Sequence, residues 1–308
     1  MTSPVASVDL RDFTDGSPAT RDSFVSAFGD SLAGTGFVRV AGHSIGDDTL
    51  AAAYRAAVEV FALPDDIKAL YDASPTHGAR GYVPFGVEQA KDATVVDMKE
   101  FWHVGRDTGS SISNVWPAEV PEFRTAMIAL FTAMDQAAST LLEALAIYLD
   151  LAPRALGDLV VDADSLLRIL RYPALQGHHI DGAVRAAAHE DINFITLLPA
   201  ATDSGLELMD RDGNWSAVDG LVGEVVVDSG DMLGRYLNGR IPATTHRVVN
   251  PSDPTRERYS MPFFCQPRAD VLLTPPDELL RAGETVDVEP ITAGQFHRER
   301  MEQIRLSR

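Results

Sequence analysis

Two histidines and an aspartate are the residues of this sequence whose types and spacing most directly suggest chemistry. His189 and Asp191 lie two positions apart in HEDINFIT, and His246 follows far downstream in TTHRVVNP. Side chains two residues apart on an extended strand point to the same face, so His189 and Asp191 can aim into one cavity. Imidazole and carboxylate groups gathered in a cavity can bind a divalent metal ion. The spacing therefore predicts a metal site formed by these three residues.

The ligand set indicates which metal chemistry to expect. Two histidines and one carboxylate form the facial triad of non-haem Fe(II) oxygenases, which leaves coordination positions open for co-substrate and oxygen. A zinc ion that activates water for hydrolysis uses the same residue types, and an accidental HxD pair in a binding or structural module is a further alternative. The remaining histidines are assigned no ligand role: His43, His77, His103, His178, His179 and His297.

A second constellation follows in RERYSMPFF. Arg258 and Ser260 are again two positions apart in a strand-like segment, so their side chains face the same side. A guanidinium binds both oxygens of a carboxylate, and a serine hydroxyl beside it adds another donor. The pair therefore suits the far end of a dicarboxylate held next to a metal. An arginine on the outer surface of a strand is the alternative.

Short strand-like segments in the second half of the chain can position these residues. After residue 164 eight candidates are separated by turn signals: SLLRILRYP, FITLLPA, GLELMD, WSAV, EVVVDSG, THRVVN, YSMPFFCQP and DVLLT. Many short strands broken by turns predict a sandwich or barrel. DMLGRYL predicts a short helix that ends at the tight turn of Asn238 and Gly239.

The first half predicts helices with a few strands. VASVDL and FVRV are typical of strands, with a helix between them that Gly34 and Gly36 end. Further helices are predicted to begin at Asp47 or Asp48 and after Pro64. KEFWHV predicts a strand. QFHRERMEQIRL predicts a helix at the end of the chain. The longest helical pattern covers about 119 to 150 and carries an apolar stripe: Phe123, Met127, Phe131, Met134, Leu141, Leu145 and Leu149. The stripe predicts a core helix against a sheet.

Composition limits the partners. The 308 residues include 26 Lys and Arg against 45 Asp and Glu, which gives a net charge of −19. Attraction to nucleic acid or to an anionic membrane is therefore not expected. The expected partner is a small molecule. The first residues do not resemble a signal peptide, and no uninterrupted apolar run reaches the length of a membrane span. Cys265 is the single cysteine, which excludes an internal disulfide and favours the cytoplasm. Nothing in the sequence indicates the oligomeric state.

The order of these motifs resembles the 2-oxoglutarate and Fe(II)-dependent dioxygenases of the isopenicillin N synthase-like superfamily. HxD at 189–191, HRVVNP at 246–251 and RYS at 258–260 carry the resemblance, together with VDLRDF, TGFVRVAGHSI, FALPDDIKALY, RGYVPFG and KEFWHVGRD. It covers about residues 4 to 274 and implies a mainly β fold with α: a distorted double-stranded β-helix, or jelly roll, with flanking helices and a helical and mixed N-terminal region. The expected division is an N-terminal region at 1–115, a backbone helix and connector at 116–163, the catalytic core at 164–280 and a C-terminal helix at 281–308.

The resemblance also implies residue roles. His189, Asp191 and His246 become the Fe(II) ligands, and Arg258 with Ser260 becomes the clamp on the distal carboxylate of 2-oxoglutarate. Tyr172, in RYP, matches a tyrosine that touches this co-substrate in many members. The implied reaction uses O2 to oxidise a C–H bond of a small molecule, by hydroxylation, desaturation or cyclisation, and releases succinate and CO2. An Fe(II) oxidase of the isopenicillin N synthase type, which uses no 2-oxoglutarate, is the alternative within this fold.

The sequence departs from the family pattern near Tyr172, and it offers weaker signals for the substrate. Leu170 stands where many plant members have asparagine, which removes one polar contact. Phe101 and His103 share one face of KEFWHV, whereas Glu100 and Trp102 share the other. The candidate substrate residues are Arg80, Tyr82, Phe101, His103 and Arg168. For each arginine, a surface charge is the alternative.

Overall fold

The computed structural model describes residues 5–76, 78–89, 95–107, 112–175, 182–218, 222–280, 284–286, 289–303 and 305–306. The α-helices in these ranges are α1 Leu10–Thr14, α2 Pro18–Thr35, α3 Asp47–Phe61, α4 Asp65–Lys68, α5 Pro121–Tyr148, α6 Asp231–Tyr236 and α7 Ala293–Gln303. The strands are β1 Ser7–Asp9, β2 Phe37–Ala41, β3 Gly81–Val83, β4 Glu88–Gln89, β5 Glu100–Gly105, β6 Leu166–Tyr172, β7 Ala186–His189, β8 Ile195–Pro199, β9 Leu206–Met209, β10 Trp215–Ala217, β11 Glu224–Ser229, β12 His246–Val248, β13 Arg258–Ser260, β14 Phe263–Cys265 and β15 Arg305–Leu306.

Two sheets form the centre of the fold. The larger has nine strands in the order β1-β2-β11-β8-β14-β6-β5-β3, with β13 also paired to β6. The smaller has four strands in the order β10-β9-β12-β7, and β4 pairs separately with β15. An apolar cluster between the two sheets takes Phe37, Phe101, Leu170, Tyr172 and Val226 from the larger sheet and Ala186, Leu206, Leu208 and Val248 from the smaller. The two sheets therefore face each other across a common interior, and the expected mainly β fold with flanking helices is confirmed.

The helices cover the outer face of the larger sheet. α5 buries the predicted stripe from Phe123 to Leu145 and packs against β6, β8 and β14. α2 begins at Pro18 after the Ser17 cap and ends at Thr35. Gly36 follows as its C-terminal cap, with a φ of 71° in the left-handed conformation that glycine adopts readily. Length and composition alone would allow α5 to cross a membrane, but the apolar residues it buries against the sheet explain its character as a core helix.

The structure corrects two strand predictions and adds a strand that was not predicted. DVLLT forms only an isolated bridge from Leu272 to Thr292, although Val271 and Leu273 are buried in the outer core. Its alternating apolar pattern therefore reflects packing and not a ladder. YSMPFFCQP forms two strands, β13 and β14, instead of one. β7 was not predicted, since its sequence AAAH lacks the β-branched and aromatic residues typical of strands.

Candidate functional site

The three predicted metal ligands converge at one end of the smaller sheet. His189 ends β7 and His246 begins β12, and the two residues are direct partners in the antiparallel pair. Asp191 follows β7 and brings its Oδ1 to 3.8 Å from His189 Nε2 and 3.9 Å from His246 Nε2. One ligand atom from each residue lies within 4.8 Å of the others. The pairing of β12 with β7 therefore unites side chains that are far apart in the sequence.

Hydrogen bonds to backbone carbonyls set the tautomer and the orientation of both imidazoles. His189 Nδ1 lies 2.7 Å from the Ala187 oxygen, and His246 Nδ1 lies 3.1 Å from the Thr244 oxygen. A carbonyl can only accept, so in the neutral ring Nδ1 carries the proton and the lone pair of Nε2 is left for a ligand. Both Nε2 atoms face the Asp191 carboxylate. This donor set of two nitrogens and one carboxylate oxygen fits a divalent metal ion such as Fe(II).

Asp191 is held by groups that the sequence analysis did not identify. Thr196 Oγ1 donates to Asp191 Oδ2 and accepts from Asn193 Nδ2 at 2.7 Å. Asn193 and Thr196 are almost fully buried. Gly230 packs so closely that a Cβ there would lie 2.8 Å from the Asp191 backbone oxygen and 2.3 Å from Asn193 Oδ1. The polar residues two and five places after Asp191 in DINFIT were the signal that could have revealed this support.

The electrostatics of the site favour a neutral imidazole at His189. Burial, with a further contribution from His246, lowers the pKa of His189 to about 4, so this ring is neutral and free to ligate a metal near neutral pH. Asp228 on β11 is also buried, close to the carboxylate of Asp191. Burial and the charge of Asp191 raise the pKa of Asp228 well above its ordinary value. Asp228 is therefore a carboxyl group of this site that resists ionisation.

The predicted carboxylate clamp is assembled between β13 and β6. Arg258 Nη1 donates to Ser260 Oγ at 3.0 Å, and each side chain is 2% exposed. Tyr172 is the register partner of Arg258, whose guanidinium carbon lies 5.1 Å from the centre of the tyrosine ring. Arg258 Nε donates to the Asp203 backbone oxygen at 3.1 Å. The structure thus brings Arg258, Ser260 and Tyr172 together in the buried interior.

A cavity of about 350 Å³ borders this clamp. Its walls include Leu198, Leu206, Val218 and Val226, and its charged lining includes Arg258. Apolar walls lower the local dielectric constant and so strengthen the attraction between a guanidinium and a carboxylate. The cavity can therefore hold an acid with an aliphatic middle and a charged end.

Comparisons with known proteins agree with this geometry. Residues 5–119 match the family model described as non-haem dioxygenase in morphine synthesis N-terminal, and residues 163–267 match the 2OG-Fe(II) oxygenase superfamily. The 2-oxoglutarate-Fe(II) type oxidoreductase ppzD of Metarhizium rileyi is 30% identical over 318 residues, covering 96% of this chain and 90% of that protein. The chain belongs to the 2OG-Fe(II) oxygenase superfamily.

Solved structures place the whole chain in the same fold. A 2OG-Fe(II) oxygenase family protein from Caulobacter crescentus has a TM-score of 0.87 and 36% identity, over 98% of this chain and 99% of that one. A full-length Neurospora crassa protein in complex with alpha-KG and thymine has a TM-score of 0.88 and 25% identity, over 97% of this chain and 96% of that one. This oxygenase therefore uses Fe(II), 2-oxoglutarate and O2, and the alternatives of a zinc hydrolase and of a binding module are set aside.

The candidate substrate residues of this oxygenase divide between two faces of β5. Phe101 and His103 face the interior, where the Arg168 guanidinium carbon lies 4.6 Å from the Phe101 ring centre and Arg168 Nε bonds His103 Nε2 at 2.7 Å. Arg80 is buried over Gly105 at the end of the same face. Tyr82 lies on the opposite face, where its hydroxyl donates to Glu100. The structure thus brings four of the five candidates to the inner face and leaves Tyr82 away from it.

A buried ionic network beside these residues was missing from the sequence analysis. Lys99 Nζ lies 2.6 Å from Glu88 and 2.7 Å from Asp97, and Arg168 lies 3.3 Å from Glu88. Asp97 Oδ1 accepts from the Ala187 nitrogen at 3.0 Å, which ties the network to the strand of His189. Charged residues at alternate positions in VVDMKEFWHV were the available signal for Asp97 and Lys99, whereas Glu88 had none.

For the other histidines that the structure describes, the absence of a ligand role remains a prediction. His43 is buried, and burial lowers its pKa and that of His297. Among the described residues, the cluster of His189, Asp191 and His246 is the group with the spacing to hold a metal ion. His77, His178 and His179 lie outside the described residues.

Proposed function

We propose that this oxygenase oxidises a C–H bond of a small polar molecule in the cytoplasm, with Arg258, Ser260 and Tyr172 holding the distal carboxylate of 2-oxoglutarate. The observation that supports the proposal is that His246 and Tyr172 lie against the same apolar cluster between the two sheets. Phe37, whose ring contacts that of His246 at 5.7 Å, belongs to the same inner apolar cluster as Tyr172. A co-substrate bound at both places would therefore lie along this apolar cluster between the two sheets.

His189, Asp191 and His246 would hold Fe(II), which, when bound with 2-oxoglutarate, supplies the activation of O2 for C–H oxidation. The chain contributes position and environment. The carbonyls of Ala187 and Thr244 orient the two imidazoles, and Thr196 orients the carboxylate. Arg258 and Ser260 offer charge-assisted donors to the carboxylate of the co-substrate. Apolar side chains between the sheets exclude water from the reacting groups.

The inner face of β5 supports a polar substrate of small size. Phe101 offers an aromatic surface, and the network around Arg168 and Lys99 offers charged donors and acceptors. The related Neurospora crassa protein binds thymine, a small polar ring. The net charge of −19 argues against nucleic acid or membrane surfaces as partners, and the single buried cysteine suits a reducing cytoplasm. Cell fractionation tests the location, and recovery with membranes would contradict it.

A succinate assay tests the reaction. Protein loaded with Fe(II) under anaerobic conditions is supplied with 2-oxoglutarate, O2 and a panel of small polar compounds. The proposal expects succinate to form in step with one oxidised compound, and His246→Ala to abolish both products. Arg258→Gln should raise the 2-oxoglutarate concentration required by about tenfold or more, because it removes a charged hydrogen bond. Oxygen uptake with substrate oxidation but without succinate would favour the oxidase alternative instead.

A further inference from the structure

A fully buried arginine lies next to the clamp but belongs neither to the metal ligands nor to the clamp itself. Arg185 precedes β7, and its side chain is 0% exposed. Its Nη2 donates to the Arg256 backbone oxygen at 2.6 Å and its Nη1 to Asp203 Oδ2 at 3.4 Å. Its Nε has no hydrogen-bond partner among the described residues. Burying a guanidinium is costly unless its charge is well compensated, so this residue requires an explanation.

The charges around Arg185 do not balance. Asp203 also pairs with Arg256, whose Nη2 lies 2.8 Å from Asp203 Oδ1, and its backbone oxygen accepts from Arg258. Arg185 and Arg256 thus share the Asp203 carboxylate, whereas Arg258 bonds only the backbone oxygen of that residue. Within the described part of the chain, no other carboxylate forms an ion pair with these three guanidiniums. Burial and the nearby charge of Arg258 lower the pKa of Arg185, although a guanidinium stays protonated. The arrangement has an excess of positive charge, which an anion would compensate.

The excess charge lies where the distal carboxylate of 2-oxoglutarate is expected. The guanidinium carbons of Arg185 and Arg258 lie 5.9 Å and 5.1 Å from the centre of the same Tyr172 ring. The cavity of about 350 Å³ is bordered by Asp203, Arg256 and Arg258. Arg185 holds the side chain of Asp203, and the backbone of Asp203 in turn holds Arg258 Nε. The orientation of Arg258 therefore depends on Arg185 through Asp203.

We propose that Arg185 is a positioning residue of the co-substrate clamp, which, through Asp203, orients Arg258 and adds positive potential at the distal carboxylate of 2-oxoglutarate. This inference rests on the proposed role of Arg258 and Ser260. Arg185 contributes to binding of the distal carboxylate and not to binding of the 2-oxo acid end, which belongs at the metal. A ligand without the distal carboxylate is therefore insensitive to Arg185.

Two ligands that differ only at the distal end separate this role from a general structural one. Protein loaded with Mn(II) in place of iron is titrated calorimetrically with 2-oxoglutarate and with 2-oxopentanoate, in which a methyl group replaces the distal carboxylate. Arg185→Gln should weaken binding of 2-oxoglutarate about tenfold and leave binding of 2-oxopentanoate unchanged. Arg185→Lys, which restores the charge without the planar fork, should recover part of the loss.

Arg106→Gln is the matched control, because Arg106 also bonds one carboxylate, Asp135, and one backbone carbonyl, that of Ala163, but outside the clamp. It should leave the affinity for both ligands unchanged. Equal losses for both ligands in Arg185→Gln, or no loss for either, would overturn the inference. If that variant does not fold, the same comparison is decided with Arg185→Lys. Failure of the clamp assignment itself has a different signature, since Arg258→Gln would then bind 2-oxoglutarate as tightly as the parent protein.

Discussion

The hydrogen bond from Thr196 to Asp191 provides a direct test of how the fold prepares the metal site. Thr196 is 3% exposed, and it donates to Asp191 Oδ2 while accepting from Asn193 Nδ2. Thr196→Val keeps the shape of the side chain and removes both bonds. Asp191 then loses the donor that fixes its carboxylate, and the Asn193 amide loses a partner while its Oδ1 already has none among the described residues.

The expected loss of metal affinity can be estimated in two ways. A hydrogen bond to a charged group contributes about 1.5 to 3 kcal/mol, and removing an outer partner of a metal ligand lowers metal affinity about 10 to 100-fold. The second range corresponds to about 1.4 to 2.7 kcal/mol, so the two estimates agree. We therefore expect Thr196→Val to weaken Mn(II) or Fe(II) binding about tenfold or more, with the same single-site stoichiometry.

The assay is an anaerobic competition titration against a coloured chelator, with circular dichroism to confirm that the fold is kept. Thr202→Val is the control, because Thr202 Oγ1 accepts a hydrogen bond from the Tyr259 nitrogen away from the triad. That variant should bind metal like the parent protein. A folded Thr196→Val variant with undiminished metal affinity would show that the hydrogen bond does not position Asp191, and the reasoning would be wrong.

Three further predictions concern the loop, the network and the ligands. Gly230→Ala places a Cβ 2.8 Å from the Asp191 oxygen, closer than real Cβ contacts, so metal affinity should fall about tenfold in the same titration. Melting curves should show that 2-oxoglutarate raises the melting temperature only when a metal ion is bound, and that a chelator removes the increase. Burial by itself raises the pKa of Glu88, but Arg168 and Lys99 outweigh it and hold that pKa below its ordinary 4.5. A carboxylate whose pKa is lowered by folding stabilises the fold above pH 4.5, and this stabilisation is lost as the pH falls. Glu88→Gln should therefore lower the free energy of unfolding by about 3 kcal/mol near pH 7. In urea denaturation, the difference in this free energy between the variant and the parent protein should shrink below pH 4.5.

Pairs that depend on local strand geometry could be predicted from the sequence. His189 with Asp191 and Arg258 with Ser260 are each two residues apart, and an extended backbone is enough to place both members on one side. The long apolar stripe of α5 is equally local, because helical periodicity determines which side chains share a face. These features needed no knowledge of which strands pair.

Features that depend on pairing between distant segments could not be predicted in this way. The strand AAAH, which ends at His189, has weak strand propensity, and it is extended because β12 pairs with it. That same pairing brings His246 to His189, so the sequence could name His246 as a candidate third ligand but could not show which strand it pairs with. Arg185 and Asp203 are likewise ordinary charged residues in the sequence, and only burial of both in one place makes them notable.

The net charge of the chain opposes the charge of its ligand, because a protein with a net charge of −19 must bind the dianion 2-oxoglutarate. The distance between the surface charges and the buried site explains how such a protein can bind a dianion. Surface charges are screened over about 8 Å at physiological ionic strength, whereas charges in a buried site interact through a lower effective dielectric constant. Arg185 and Arg258 lie in the interior and share the single carboxylate-bearing residue Asp203 with Arg256. On the proposed roles of Arg185 and Arg258, these two buried charges set the affinity for the co-substrate, while the acidic surface acts on partners that remain outside.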